Sequence, residues 1–164
     1  MRIGLISDTH DYIENIEKAI KMFKDKEVLF IIHAGDYISP DAVRAFHGTK
    51  LFGVLGNNDV YNKSELNNAF NDIGGQLKGE IWEHEVDDII FAVYHGTKSE
   101  LKNSLIQSGK YDVVICGHTH RTENTNTGKT LVLNPGTAKG WFFGYNATIG
   151  IFDTQSKRME LINI

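Results

Sequence analysis

The stretch Ile3-Gly4-Leu5-Ile6-Ser7-Asp8-Thr9-His10 begins the chain with a short β-prone run that ends in a polar cluster. Apolar side chains then recur at three- and four-residue spacing over residues 13–23, which is typical of an amphipathic helix. Further apolar runs over residues 28–34 and 51–55 predict two more strands, with a short helix over residues 40–46 between them. The first third therefore reads β-α-β-α-β, which predicts neighbouring strands joined by right-handed crossovers.

The rest of the chain changes from alternating elements to strands alone. Helices are predicted over residues 64–73 and 100–108, and strands over residues 77–83, 89–94, 113–116, 130–133, 147–152 and 158–162. Early βα units followed by late antiparallel strands predict an α/β fold. We expect a four-layer α-β-β-α sandwich, in which two mixed sheets pack together between flanking helices. No Pro- or Ser-rich linker interrupts the sequence, so residues 1–164 are predicted to form a single domain.

Composition restricts the class of protein. The chain has 17 basic and 21 acidic residues, a net charge of −4 and no long run of either sign, which argues against general nucleic-acid binding. The single Cys116 cannot form an internal disulfide and ends an apolar run, so we expect a buried structural thiol and a cytoplasmic protein. No apolar run approaches the roughly 20 residues that cross a bilayer, so no membrane association is predicted.

Five polar clusters follow the apolar runs: Asp8-Thr9-His10, Gly35-Asp36, Gly56-Asn57-Asn58-Asp59, His95-Gly96 and Gly117-His118-Thr119-His120. Their carboxylates, imidazoles and amide are ligands that divalent metals prefer. Because ligands bind at the carboxyl ends of strands in α/β sheets, clusters distant in sequence can meet in one crevice. The set exceeds what one ion needs, so it predicts two divalent ions side by side, an arrangement typical of phosphate-ester hydrolysis.

Each cluster taken alone has a simpler explanation. Asp8 is also a common type of helix cap, and Gly35-Asp36 is an ordinary turn pair. The segment Gly117-His118-Thr119-His120 is more specific, because two imidazoles at i and i+2 after a buried strand rarely arise for packing. The joint occurrence of the clusters carries the metal prediction.

In this order the clusters resemble the calcineurin-like metallophosphoesterase superfamily, whose pattern runs D-x-H, G-D, G-N-H-D or a variant, a later His and G-H-x-H. The resemblance spans residues 8–120, and Asn134-Pro135-Gly136-Thr137 is similar to the N-P-G-S segment of its small bacterial and archaeal phosphodiesterases. It implies a first metal bound by Asp8, His10, Asp36 and His120, and a second metal bound by Asp36, Asn57, His95 and His118. Asp36 would bridge two divalent ions, Mn²⁺ or Ni²⁺ first, with Co²⁺, Fe²⁺ and Zn²⁺ as alternatives.

The resemblance also implies catalytic roles for Asn57, Asn58 and Asp59. A hydroxide shared by the two ions would attack phosphorus in line, while Asn57 and Asn58 stabilise charge on the phosphoryl oxygens. Most family members have His where this chain has Asn58, and an amide cannot donate a proton near neutral pH. We therefore expect weaker general-acid assistance to poor leaving groups, with Asp59 orienting Asn58.

The predicted function is a metal-dependent phosphodiesterase acting on a small phosphodiester, with a homo-oligomer as an open alternative to a monomer. The rival function is a non-catalytic protein-binding scaffold of the same fold, like the metallophosphoesterase-like subunit of the retromer complex. A nuclease is a third option, but the sequence shows no basic stripe. The aromatic run Trp141-Phe142-Phe143 is compatible with a pocket wall, a base stack, a subunit contact or core filling, and is assigned no site.

Overall fold

The computed structural model describes residues 1–140, 144 and 146–164, and the aromatic run over residues 141–143 lies outside them. The strands are β1 (Arg2–Ile6), β2 (Phe30–His33), β3 (Leu51–Gly53), β4 (Gln76–Leu77), β5 (Ile81–Val86), β6 (Ile89–Tyr94), β7 (Val113–Ile115), β8 (Thr122–Thr127), β9 (Thr130–Pro135), β10 (Thr148–Asp153) and β11 (Arg158–Asn163). The helices are α1 (Ile13–Asp25), α2 (Pro40–Arg44), α3 (Lys63–Asp72) and α4 (Ser99–Gln107). Among these residues, no helix is long and apolar enough to span a bilayer.

Two mixed sheets form the centre of the fold. The first has the strand order β11-β10-β1-β2-β3-β4. Strands β1 to β4 run parallel, β10 is antiparallel to β1, and β11 is antiparallel to β10. The second has the order β5-β6-β7-β9-β8, with β6, β7 and β9 parallel and both edge strands antiparallel. The register places Leu5 of β1 opposite Ile32 of β2 and Gly150 of β10.

Alternation along the strands divides the buried side chains into three layers. Leu5 points toward the second sheet and packs in the cluster that includes Phe91 and Ile115. Its neighbour Ile6 points the other way and packs with Phe23 of α1. A third cluster joins the outer face of the second sheet to α4. Helix, sheet, sheet and helix thus follow one another, which confirms the predicted four-layer α/β sandwich.

Two strand predictions need correction, and one strand was missed. The strand expected over residues 77–83 is two strands, since β4 ends the first sheet and β5 begins the second. Strand β8 was not expected, because its sequence, TENTNT, has no apolar alternation, and its side chains are almost all exposed. Strand β9 pairs antiparallel with β8 but parallel with β7, so the late strands are not uniformly antiparallel. These errors share one cause, because strand partners are chosen by contacts distant in sequence.

Candidate metal centre

The carboxyl ends of five parallel strands bring the polar clusters together. Strands β1, β2 and β3 of the first sheet and β6 and β7 of the second end beside one another, and each is followed by one cluster. The two sheets are joined at this edge by a hydrogen bond of 2.7 Å between His95 Nδ1 and the carbonyl oxygen of Ala34. The crevice predicted from the strand ends therefore lies between the two sheets.

Five of the predicted metal ligands form two groups with their donor atoms within 4.8 Å of one another. One group is Asp8, His10 and His120, and the other is Asp8, Asp36 and His95. Asp8 Oδ1 lies 3.1 Å from His120 Nε2, and Asp36 Oδ2 lies 3.4 Å from His95 Nε2. The structure thus gathers oxygen and nitrogen donors from loops up to 112 residues apart in sequence, since Asp8 and His120 meet.

Among the residues that the structure describes, two buried polar atoms of this cluster make no hydrogen bond, Asp8 Oδ1 and His95 Nε2. Their nearest ionisable neighbours are, respectively, His120 Nε2 at 3.1 Å and Asp36 Oδ2 at 3.4 Å. The bond from His95 Nδ1 to Ala34 places the ring proton on Nδ1, because a carbonyl oxygen only accepts, and leaves the Nε2 lone pair directed into the crevice. Buried polar atoms are normally paired, and an unpaired one costs about 1–3 kcal/mol. Bound divalent cations would satisfy both atoms, so the residues present fit such ions.

The electrostatics of the cluster favour ionised carboxylates. Burial alone would raise the pKa of Asp8, but the nearby His10 and His120 imidazoles lower it below its ordinary value. Burial acts on Asp36 in the same sense, and its contacts with His95 and Asn58 lower its pKa instead. Burial would lower the pKa of His95, but the contact with the Asp36 carboxylate raises it, and the pKa lies above its ordinary value. Two ionised carboxylates beside imidazole nitrogens are ready to receive cations.

Five of the predicted ligands have left-handed backbone conformations that non-glycine residues seldom adopt. Their φ angles are 53° at Asp8, 43° at His10, 65° at Asp36, 68° at His118 and 59° at His120. Such conformations cost of order 1–3 kcal/mol each and persist where the surroundings impose them, typically at functional sites. The concentration of strained residues at the strand ends is independent support for a functional site here.

Asp59 holds the loop that carries Asp36. Its buried carboxylate accepts four backbone N–H bonds, from Asp36 and Gly56 at 2.7 Å to Oδ2, and from Tyr37 at 2.9 Å and Ile38 at 3.1 Å to Oδ1. Burial raises the pKa of Asp59, against the effect of these amide donors. The expectation that Asp59 orients Asn58 is not met, because these hydrogen bonds of its carboxylate go to the backbone. Asp59 is a positioning residue.

Asn58 contacts the predicted bridging carboxylate directly. Its side-chain amide donates to Asp36 Oδ2 at 2.7 Å, and its backbone N–H donates to Asp36 Oδ1 at 3.0 Å. The other two predicted ligands are His118 and Asn57. The His118 ring packs against His95 with centroids 5.1 Å apart, and the exposed Asn57 side chain lines a neighbouring cavity.

The segment Asn134-Pro135-Gly136-Thr137 holds two of the ligand loops. The Asn134 amide donates to the carbonyl oxygen of Gly117 at 2.8 Å, and the Thr137 hydroxyl donates to that of Asp8 at 3.0 Å. Gly117 itself has no room for a side chain, because a Cβ there would collide with Ser7 Oγ. The sequence showed this segment only as a family resemblance, and its role depends on contacts that no local pattern reveals.

His33 and Cys116 are buried groups beside the cluster. His33 Nδ1 accepts the N–H of Gly35 at 3.1 Å, and its Nε2 lies 3.1 Å from the Thr9 hydroxyl, so the ring is a neutral part of the scaffold. Burial lowers the pKa of His33 to about 3. Burial raises the pKa of the Cys116 thiol to about 11, as expected for a structural cysteine.

The buried His33 predicts a loss of stability in acid. The unfolded chain takes up a proton near pH 6.5, whereas the folded chain resists protonation until about pH 3. The free energy of unfolding should therefore fall as the pH drops from about 6.5 toward 3, by up to about 1.4 kcal/mol per unit from this group. Urea unfolding of the metal-free protein at pH 7 and pH 5 measures it. His33→Gln should lose about 2 kcal/mol less than the wild type over that interval.

The exposed His47 provides the matched control. His47→Gln should keep the acid sensitivity of the wild type. If His33→Gln and the wild type lost the same stability between pH 7 and pH 5, His33 would not be neutral in the folded protein.

Fold and site together define a metallophosphoesterase. Residues 1–157 match the calcineurin-like phosphoesterase superfamily domain, and the chain belongs to this family, as its sequence predicted. Members of the family depend on divalent metals.

Full-length relatives support the assignment. A protein named phosphodiesterase from Methanocaldococcus jannaschii is 38% identical over 165 residues, which cover 99% of this chain and 98% of the relative. A solved structure described as a novel archaeal phosphodiesterase covers 100% of both chains with a TM-score of 0.94 and 37% identity. The phosphoesterase Yfce from E. coli has a TM-score of 0.75 over 100% of both chains at 17% identity, which shows the shared fold alone.

Proposed function

We propose that this protein is a metal-dependent phosphodiesterase that hydrolyses a small phosphodiester at two divalent ions. The observation that carries the proposal is a pair of buried atoms, Asp8 Oδ1 and His95 Nε2, that make no hydrogen bond among the described residues and lie within two groups of metal-binding side chains. In a scaffold that binds no metal, both buried atoms would lack a hydrogen bond, and nothing would offset the loss of stability. The full-length similarity to a protein named phosphodiesterase supports the diester as substrate.

The ions would be held by the ligands that the sequence proposes: Asp8, His10, Asp36 and His120 for the first, and Asp36, Asn57, His95 and His118 for the second. The position of Asp36 supports a bridging role, because its Oδ2 lies 3.8 Å from His10 Nε2 and 3.4 Å from His95 Nε2. Asp8 belongs to both groups, so its charge would act on both ions. Mixed oxygen and nitrogen donors suit Mn²⁺ or Ni²⁺, with Co²⁺, Fe²⁺ and Zn²⁺ as alternatives.

The chain's own residues set which leaving groups are favoured. When bound, the two ions would supply an activated water as nucleophile and neutralise charge on the phosphoryl oxygens. The Asn58 amide can donate a hydrogen bond near the ions, but it cannot transfer a proton to the leaving group. The Asp59 carboxylate already accepts four backbone N–H bonds. Esters whose leaving alcohol is acidic enough to depart as an anion should therefore be the best substrates.

Hydrolysis of bis-p-nitrophenyl phosphate tests the proposal, because its leaving group needs no general acid. We expect chelator-stripped protein to be inactive, and Mn²⁺ or Ni²⁺ to restore activity that favours this diester over the monoester p-nitrophenyl phosphate. Bound metal should be counted in parallel. Two bound ions without turnover of either ester would overturn the enzyme and favour the protein-binding scaffold. The cytoplasmic location and the oligomeric state stay predictions from the sequence.

A further inference from the structure

We propose that the cavity beside Asn57 binds the second alcohol group of the diester, the one that is not displaced, and prefers a group that carries its own negative charge. This inference rests on the proposed function and adds a substrate class to it. A phosphate monoester has no second substituent and would leave the cavity empty of substrate, so the cavity also provides a reason for a diester preference.

The cavity shares one lining residue, Asn57, with the proposed ligand set of the second ion. It has a volume of about 360 Å³ and lies between the loop after β3 and the loop after β6. Thr97 and Lys98 also line the cavity, and they follow the proposed ligand His95 along the chain. A diester whose phosphorus sits at the ions would therefore direct one substituent into this space.

The charges around the cavity favour an anion. Lys63 and Lys98 both line it, and both are exposed. Among the residues that the structure describes, neither ammonium group has an ion-pair or hydrogen-bond partner. Glu80 is the single acidic residue in the lining, so the cavity has an excess of one positive charge in a protein whose net charge is −4. A carboxylate or phosphate on the substrate would pair with ammonium groups that no side chain occupies.

Part of the cavity lining is apolar and suits the body of an alcohol. Leu55, Val60 and the buried Tyr94 contribute to it. Val60 is 60% exposed although it is aliphatic, so a substrate group covering it would remove apolar surface from water. A lining that combines apolar side chains with two ammonium groups is matched by an alcohol that has a carbon or aromatic body and an anionic end.

Two diesters that differ only in the second group test this inference. We would compare 4-nitrophenyl 4-carboxyphenyl phosphate with 4-nitrophenyl phenyl phosphate, because both release 4-nitrophenolate and one adds a carboxylate. The wild type should have the higher kcat/KM for the carboxylate. Lys63→Met and Lys98→Met should each reduce that preference by about 2- to 5-fold, mainly through KM. Glu80→Gln should increase it by a similar factor, and high salt should weaken it.

Lys129→Met is the matched control, since Lys129 is exposed in the turn after β8, at the far end of that strand from His120. It should leave the preference unchanged. Opposite changes for the lysine and glutamate variants would distinguish charge recognition from a structural effect. Equal hydrolysis of both diesters, unaffected by the variants, would overturn this inference and leave the phosphodiesterase intact. No turnover of either diester with any of the five metals would overturn both.

Discussion

Asp36→Asn should lower kcat/KM for bis-p-nitrophenyl phosphate by more than about 100-fold and reduce the number of divalent ions retained. Asp36 Oδ2 lies between His10 and His95, and its oxygens also accept both hydrogen bonds from Asn58. The amide of Asn has the same shape but no charge and one acceptor oxygen instead of two. It can therefore neither offset the repulsion between two cations nor accept both Asn58 donors. Steady-state kinetics and elemental analysis of the dialysed protein measure the two effects.

The control for this variant is Asp72→Asn. Asp72 is a half-exposed carboxylate that pairs with Arg44 at 3.1 Å on the surface of α3. This substitution removes one negative charge without touching the cluster, so activity and metal content should match the wild type. Asp36→Asn protein with two tightly bound ions and full activity would show that Asp36 does not bridge them.

Asp59→Ala should lower the free energy of unfolding by about 3–5 kcal/mol, because four backbone N–H groups lose their shared acceptor. Asp59→Asn should lose less, since its remaining oxygen still accepts from two of the four donors. Both variants should bind metal more weakly, because these bonds hold the loop from Asp36 to Ile38 in position. Urea unfolding of metal-free protein and metal titration provide the measurements.

Asp153→Ala is the comparison for this effect. Asp153 also accepts backbone N–H bonds, from Gln155 at 3.0 Å and Ser156 at 2.8 Å, but in an exposed turn where water can replace it. Its loss of stability should be much smaller than that of Asp59→Ala. Equal losses would mean that burial of the Asp59 carboxylate does not increase its contribution to the free energy of unfolding.

The layered fold was predictable because its signals are local. Apolar runs such as residues 28–34 mark strands covered on both faces, and the periodicity of residues 13–23 marks a helix with one buried side. The predicted boundaries were two residues too wide at Val28, because β2 begins only at Phe30. Strand β8 was missed, since its pairing with β9 depends on backbone hydrogen bonds and leaves its polar side chains in water.

In the site, too, some features were predictable from the sequence and others were not. The residue types that bind divalent metals were evident from the sequence, and the structure brings Asp8, His10, Asp36, His95 and His120 together. The supporting contacts were not evident: Asp59 was expected to orient Asn58 but holds the backbone instead. Thr137 reaches the carbonyl oxygen of Asp8 across 129 positions of sequence, a contact that only the pairing of distant strands creates.

The sequence by itself determined the chemistry of the cluster, because carboxylate, imidazole and amide donors keep their metal preferences wherever they lie. It also determined which apolar runs carry these donors at their ends. Only the tertiary structure decided which donor atoms stay free, since that depends on what each neighbouring atom already accepts or donates. The carbonyl oxygen of Ala34 accepts a hydrogen bond from His95 Nδ1–H, so Nε2 is left for a metal. The Ser7 hydroxyl and the His118 N–H both donate to Asp8 Oδ2, so Oδ1 is left for a metal.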